Sequence, residues 1–125
     1  MKRTTTLVLA CCIASAAAPA VLADVIHTYP VTLTISVDRA AGKLSGTIES
    51  DAPSEFCDSS TVRIRQAMPG KDKVVARVFP TYGEWRLKSF PALQGKRVYA
   101  EVLSYELPQR PVMCLAARSR TVVAP

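Results

Sequence analysis

The sequence predicts an all-β protein, a single two-sheet sandwich of about seven strands. Three observations favour this fold class. Apolar and polar residues alternate with a period of two over several short segments. Turn-forming residues, mainly proline and glycine, separate these segments at regular intervals. No stretch long enough for a helix carries the apolar period of about 3.6 residues that an amphipathic helix requires.

The first element in the chain is a predicted signal peptide over residues 1–23. Lys2 and Arg3 provide a positive start, an apolar segment follows over residues 7–18, and small residues end it at Ala23. The apolar segment is shorter than the about 20 residues that a transmembrane helix needs. We therefore expect cleavage after Ala23 and no transmembrane segment in the mature chain.

A second N-terminal motif leaves an alternative open. Residues 8–11, VLAC, resemble the sequence that bacteria lipidate on cysteine, which would attach a lipid to Cys11. Cleavage before Cys11 would leave an apolar region at the lower limit of the usable length. With cleavage after Ala23, Cys11 and Cys12 are removed together with the signal peptide.

The mature domain, residues 24–125, then contains only two cysteines, Cys57 and Cys114. In an oxidising compartment, secreted or periplasmic, two such thiols normally form one disulfide. The alternative is a reactive or metal-binding pair, but no histidine or third cysteine lies nearby in the sequence. The sequence therefore predicts a disulfide that ties the loop before the third strand to the last strand.

The predicted strands begin with a hairpin. Residues 31–38 alternate apolar side chains with threonine and serine, residues 39–42 form a turn, and residues 43–50 alternate again. In the third strand Val62 and Ile64 are predicted to face inward. The third to seventh strands are predicted over residues 61–67, 73–79, 84–90, 97–105 and 112–124.

The chain is mildly basic, and its cations provide the main candidate binding surface. The formal net charge of +6 falls to +4 in the mature domain because the signal peptide carries two of the cations. Nucleic acid is not an expected partner, since no basic run is clustered. The candidate binding residues share one face within each of two strands, and they are Arg63, Arg65, Arg86 and Lys88. If both strands belong to one sheet, they form one surface for an anionic glycan or an acidic protein; the alternative is an ordinary solvated face that discourages aggregation.

The aromatic residues divide into one core candidate and three surface candidates. Trp85 alternates with Leu87 and follows a glycine turn, so it is predicted to lie in the core. Tyr82, Tyr99 and Tyr105 are the better candidates for contact with a ligand.

No catalytic residue, metal ligand or cofactor is predicted. His27 is the only histidine, and no neighbour at a recognisable spacing orients it as a catalytic base. The acidic residues between positions 49 and 58 fit no calcium-loop pattern. Met68 and Met113 are too dispersed to form a copper site with His27.

The order of the motifs carries a resemblance. The sequence GKLSGTIES at residues 42–50, then Cys57, a basic series of strands over residues 61–90, GKRVYAEV at residues 95–102 and finally Cys114 follow one another. This order resembles the prealbumin-like or carboxypeptidase-regulatory-like β-sandwich domains of exported bacterial proteins, over nearly the whole mature chain. The resemblance implies an immunoglobulin-like or prealbumin-like sandwich and a binding, spacer or stabilising role.

One enzyme has a similar fold, the hydroxyisourate hydrolase, and it depends on histidines, an arginine and a C-terminal Tyr-Arg-Gly-Ser. This chain has a single histidine, His27, and ends in SRTVVAP at residues 119–125. That activity is therefore not expected here.

The sequence thus favours an exported, non-catalytic module that binds or stabilises an envelope or extracellular partner through a basic sheet face. Two alternatives stay open. One is a hydrolase whose active loop has no recognisable motif. The other is a periplasmic inhibitor that inserts an exposed loop, such as ELPQRP at residues 106–111, into the cleft of a partner enzyme.

Overall fold

The computed structural model describes residues 26–52 and 57–125, so the predicted signal peptide and Cys11 lie outside the described residues. The described part is all-β, without a helix long and apolar enough to cross a membrane. Its twelve strands are β1 His27–Tyr29, β2 Val31–Leu33, β3 Ser36–Asp38, β4 Lys43–Ser50, β5 Val62–Gln66, β6 Lys73–Val78, β7 Glu84–Lys88, β8 Arg97–Val102, β9 Tyr105–Glu106, β10 Val112–Cys114, β11 Ala117–Arg118 and β12 Val122–Val123.

Two larger sheets share one hydrophobic core, and a small sheet completes the fold. In the first, the β4 sheet, β4 pairs with β2 and β3 along one edge and with β7 along the other. The second, the β5 sheet, has the order β11–β8–β5–β6, and β12 also pairs with β8. The small sheet has the order β1–β10–β9, with β1 parallel to β10. Buried side chains from both larger sheets form the core, which fits an all-β sandwich.

The predicted first hairpin is present, but its first strand is divided. The turn at residues 39–42 has the expected glycine, Gly42, at a positive φ of 65°. β2 and β3 both pair with β4, without a change of register between them. They are separated because the amide of Thr47 donates its hydrogen bond to the Thr34 hydroxyl, at 2.8 Å, instead of the Thr34 carbonyl.

Beside this interruption, Trp85 packs closely on Gly46. The two residues are directly opposite each other in β7 and β4. Trp85 is only 1% exposed, which confirms its predicted place in the core. A Cβ at position 46 would overlap the Thr34 carbonyl oxygen and lie 2.5 Å from the indole Nε1. The strand therefore requires a residue without a side chain at this position.

The C-terminal segment differs most from the prediction. The single strand expected over residues 112–124 is divided among β10, β11 and β12. β10 belongs to the small sheet, whereas β11 and β12 pair with β8. The chain thus passes from the small sheet to the β5 sheet between β10 and β11, and division of this kind raises the strand number above the expected seven.

The sulfur atoms of Cys57 and Cys114 lie at disulfide distance, 2.06 Å, in agreement with the prediction. Cys57 belongs to the loop before β5, as expected, but Cys114 lies in β10 of the small sheet and not in the last strand. Both residues are buried. The disulfide therefore links the small sheet to the entry of the β5 sheet.

We expect Gly46→Ala to lower the free energy of unfolding by about 3 kcal/mol, because overpacking against backbone and indole cannot relax easily. The control is Gly70→Ala, where φ is 87° and nothing lies within 4 Å of the added Cβ. That change should cost only about 1 kcal/mol of backbone strain. Urea unfolding measures both, and equal losses would contradict the close packing of Trp85.

Reduction of the disulfide should lower the free energy of unfolding by about 4 kcal/mol, since chain entropy rises when a loop with a sequence separation of 57 is opened. Urea unfolding of the mature domain with and without reductant measures this difference. Thiol labelling of the unreduced, denatured domain should detect neither cysteine. Labelling of both would contradict the disulfide, and an unchanged midpoint after complete reduction would contradict its stabilising effect.

Candidate functional site

The four predicted binding cations do not form one surface. Arg63 and Arg65 lie on β5, whereas Arg86 and Lys88 lie on β7, and these strands belong to different sheets. The reason is the connection over residues 79–83, which carries the chain from the β5 sheet to the β4 sheet. The condition for a single four-cation surface is therefore not met.

A different basic surface forms on the outward face of the β5 sheet. Residues directly opposite each other on neighbouring strands share a face. The register places Arg118 of β11 opposite Glu101 of β8, Glu101 opposite Arg63 of β5, and Arg63 opposite Arg77 of β6. We call this row, together with Arg65 and its neighbours Tyr99 and Asp72, the basic face.

Glu101 and the loop before β6 hold Arg65 in place. The Arg65 Nη1 lies 3.3 Å and 3.4 Å from the two carboxylate oxygens of Glu101. Its Nη2 donates a hydrogen bond to the carbonyl oxygen of Asp72 at 2.9 Å. Arg63 shares the same carboxylate more loosely, since its Nε is 3.6 Å from Glu101 Oε1 and makes no hydrogen bond. Contacts within the protein thus hold the Arg65 guanidinium group in place, whereas Arg63 has only the longer ion pair with Glu101.

Arg77 is the one arginine of the basic face that has no partner among the described residues. Its side chain is exposed, and no hydrogen bond or ion pair joins it to any other residue in the described part of the chain. It lies directly opposite Arg63, and like charges at such positions repel each other. An anion held between the two guanidinium groups would relieve this repulsion.

Arg63 and Arg77 line a groove of about 620 Å³, which we call the arginine groove. It lies at the end of the β5 sheet where β5 begins and where β6 and β8 end. Its lining combines these cations with exposed apolar groups and hydroxyl groups. The apolar groups are Phe79, Leu103 and Tyr105, and the hydroxyl residues are Ser59, Ser60, Thr61 and Ser104.

The disulfide links two segments that contribute to the lining of the arginine groove. Residues 59–61, which line it, begin two residues after Cys57. Tyr105, which also lines it, pairs directly with Cys114 in the small sheet. The Cys57–Cys114 bond therefore connects the segments that carry these lining residues.

A second groove, of about 370 Å³, lies beside the first, and we call it the tyrosine groove. Its lining residues are Phe79, Thr81, Tyr82, Glu84 and Arg86. Phe79 belongs to both grooves. Arg86 and Glu84 form an ion pair at 3.4 Å with both side chains largely exposed, which makes it a weak pair.

The structure separates the three tyrosines that were candidates for ligand contact. Tyr82 and Tyr105 are exposed and line the grooves. Tyr99 is instead buried within the basic face. Its hydroxyl donates a hydrogen bond to Asp72 Oδ2 at 2.6 Å, and the Arg118 guanidinium carbon lies 4.0 Å from its ring centroid. Tyr99 therefore has a structural role.

The hydrogen bond between Tyr99 and Asp72 shifts the pKa of both side chains. The hydrogen bond from the Tyr99 hydroxyl, followed by that from the Met68 amide, lowers the pKa of Asp72 below its ordinary value of 3.8. Burial, followed by the same contact with Asp72, raises the pKa of Tyr99 above 10.0. Asp72 thus stabilises the fold above its ordinary pKa, and this contribution is lost as the pH falls through the lowered value. The contribution of Tyr99 is present below pH 10.0 and is lost as the pH rises through its raised pKa.

The other candidates lie away from the grooves. His27 is exposed on β1, lines neither groove, and its imidazole has no hydrogen-bond or ion-pair partner among residues 26–52 and 57–125. Those two ranges also contain no group of three or more histidine, cysteine or acidic side chains placed to hold a metal; Glu55 is outside them. The ELPQRP loop connects β9 to β10, with Gln109 at a φ of 64°.

Sequence reasoning missed Arg77, Arg118 and Phe79. Arg77 alternates with apolar residues much as Arg63 does, but a register irregularity between Ile64 and Arg65 decides which residues face each other. Phe79 ends a strand-like apolar series, a pattern typical of the core, yet it is 77% exposed. The pairing register shows that Arg77 and Arg118 belong to the basic face, and the end of β6 at Val78 leaves Phe79 outside the strand.

Comparisons with known proteins give no relative. The chain matches no protein-family model, no curated protein and no solved structure.

We expect Tyr99→Phe to raise the pKa of Asp72 toward its ordinary value. The substitution removes the hydrogen bond from the phenol hydroxyl, which is the largest cause of the lowered pKa. Carboxyl ¹³C shifts recorded by NMR as a function of pH measure this pKa. Tyr105→Phe is the control, since the Tyr105 hydroxyl makes no hydrogen bond within the described residues. An Asp72 pKa that is the same in wild type and in Tyr99→Phe would contradict the assignment.

Proposed function

We propose that this protein is an exported, non-catalytic β-sandwich module of prealbumin-like fold. It binds an anionic envelope or extracellular ligand in the arginine groove. The observation that carries the proposal is Arg77, an exposed cation opposite Arg63 without an acidic partner in the described structure. Lys43 and Lys88 of the β4 sheet also lie opposite each other without an acidic partner among the described residues, but of the two pairs only Arg63 and Arg77 line a groove, where a ligand anion can relieve their repulsion.

The lining of the arginine groove suits a carboxylate or similar anion. Guanidinium groups bind carboxylates through two parallel hydrogen bonds, which gives orientation as well as affinity. Serine and threonine hydroxyl groups around them can donate or accept further hydrogen bonds. The exposed rings of Phe79 and Tyr105 supply apolar walls. A few polar groups among apolar walls are the usual composition of a ligand site.

The wider charge distribution supports the same ligand class. The basic face has four arginines, namely Arg63, Arg65, Arg77 and Arg118, and two carboxylates. The excess of positive charge attracts anions over a distance of about 10 Å at 0.1 M salt. Binding should therefore weaken as the ionic strength rises.

A non-catalytic role is supported by the composition of the arginine groove. A serine or threonine nucleophile needs a base within hydrogen-bond reach. The residues that line this groove provide hydroxyl groups but no histidine, aspartate or glutamate. The positive residues thus act on a ligand by binding it.

We expect Arg77→Ala to weaken the binding of an anionic polymer about tenfold, since it removes one charge-assisted contact. The probes are polygalacturonate and polyglutamate, immobilised separately, and surface plasmon resonance at low and high salt measures the affinity of the mature domain. The matched control is Lys88→Ala, an exposed cation on the other sheet, which should bind like wild type.

The proposal fails if neither polymer is retained at low salt. It also fails if Arg77→Ala and Lys88→Ala weaken binding equally, because the site would then be the overall charge and not the groove.

A further inference from the structure

The two grooves meet at one exposed aromatic residue. Phe79 is 77% exposed and contributes to both the arginine groove and the tyrosine groove. On its first side lie Arg77 and Tyr105, and on its second side lie Arg86 and Tyr82. Each groove therefore combines an arginine with an exposed phenol ring, and Phe79 forms the boundary between them.

The turn that holds Tyr82 is unfavourable for that residue. Thr81 and Glu84 exchange two backbone hydrogen bonds, of 2.8 Å and 3.0 Å, around the two turn residues Tyr82 and Gly83. Both turn residues have positive φ, 50° and 76°, as a type I′ turn requires. Asparagine and glycine are favoured at such positions, whereas a bulky side chain is an outlier.

Packing within the protein does not compensate for this conformation. Tyr82 is 86% exposed, and its side chain makes no hydrogen bond to another described residue. A strained position that carries a bulky, uncovered ring supports a hypothesis of function, because the ring adds nothing to the core. A ligand that packs on the ring provides the missing contact.

From this arrangement we infer that the ligand is an extended acidic oligosaccharide. It runs from the arginine groove across Phe79 into the tyrosine groove, where a sugar ring stacks on Tyr82. The inference rests on the proposed function, because the arginine groove supplies the anion site at one end.

The chemistry of the surface favours a sugar over an acidic peptide. A uronic acid residue offers an apolar C–H face to an aromatic ring, hydroxyl groups to the serines, and a carboxylate to an arginine. Aspartate and glutamate side chains supply the carboxylate but no flat apolar face for Phe79 and Tyr82. Each groove offers an arginine and an exposed tyrosine, so a polymer of acidic rings can present the same chemical groups to both grooves.

Arg86 can take part although Glu84 lies beside it. Their ion pair is 3.4 Å long and both side chains are more than half exposed. Such a pair is worth little in water, so a ligand carboxylate can compete for the guanidinium group.

The test compares ligand length and the Tyr82 ring in the mature domain. Calorimetric titrations use digalacturonate, octagalacturonate, the fully methyl-esterified octamer and an octaglutamate peptide. Wild type should bind the octagalacturonate about tenfold or more tightly than the dimer, because only the octamer spans both grooves. The esterified octamer, which lacks charge, should bind far more weakly.

Tyr82→Asn should weaken octagalacturonate binding about three- to tenfold and leave digalacturonate binding unchanged. Its Tm should rise by about 4 °C, since asparagine suits the turn better than tyrosine. Tyr82→Phe is the matched control, because it keeps the ring and should bind the octamer like wild type. A gain in stability together with a loss of affinity separates ligand contact from a folding defect.

The outcomes distinguish this inference from the proposed function. If Arg77→Ala weakens binding of both galacturonates while Tyr82→Asn changes neither, the anion site stands and the extended site is overturned. Equal affinity for the dimer and the octamer also overturns it. If octaglutamate binds as tightly as octagalacturonate and loses affinity in Tyr82→Asn, the ligand class is wrong. If no galacturonate binds wild type, the inference fails outright, and a polyglutamate that still depends on Arg77 would preserve the proposed function alone.

Discussion

The covalent link between Cys57 and Cys114 is the constraint on which the attachment of the small sheet depends. The small sheet consists of strands of two or three residues, and strands this short are not stable on their own. The disulfide attaches this sheet to the loop that enters β5. Residues 59–61, which follow Cys57, and Tyr105 of β9, which pairs with Cys114, all line the arginine groove, so this bond connects the segments that carry them.

The core below supplies a rigid platform for that groove. Val62 and Ile64 are fully buried, and their burial forces Arg63 and Arg65 to the outward face of β5. In the opposite sheet Trp85 fills the space left by Gly46, and the alternation along β7 directs Arg86 outward. Hydrophobic burial thus fixes the directions of the cations that the grooves present to solvent.

Some charged residues of the basic face make contacts within the protein, and others are available to the proposed ligand. Arg65, Tyr99 and Asp72 are joined by hydrogen bonds within the basic face, and these contacts hold its surface in one arrangement. Arg63 and Arg77 lie opposite each other at the margin of this network, where the acidic residues of the face do not neutralise them both. The like charges of Arg63 and Arg77 repel each other, and the proposed ligand site is inferred from this repulsion together with their place in the arginine groove.

The sequence by itself determined the all-β class, the first hairpin, the burial of Trp85 and the pairing of Cys57 with Cys114. These features depend on local alternation, turn residues and the number of thiols, all of which are readable along the chain. Only the tertiary structure decided that β5 and β7 lie in different sheets, that Arg77 faces Arg63, and that the last segment is shared among three strands. The reason is that strand register and crossovers join residues far apart in sequence, and a shift of one residue reverses the face on which a side chain lies. The lining of the arginine groove comes from three separate segments, residues 59–63, 77–79 and 103–105, so no single stretch of sequence contains it.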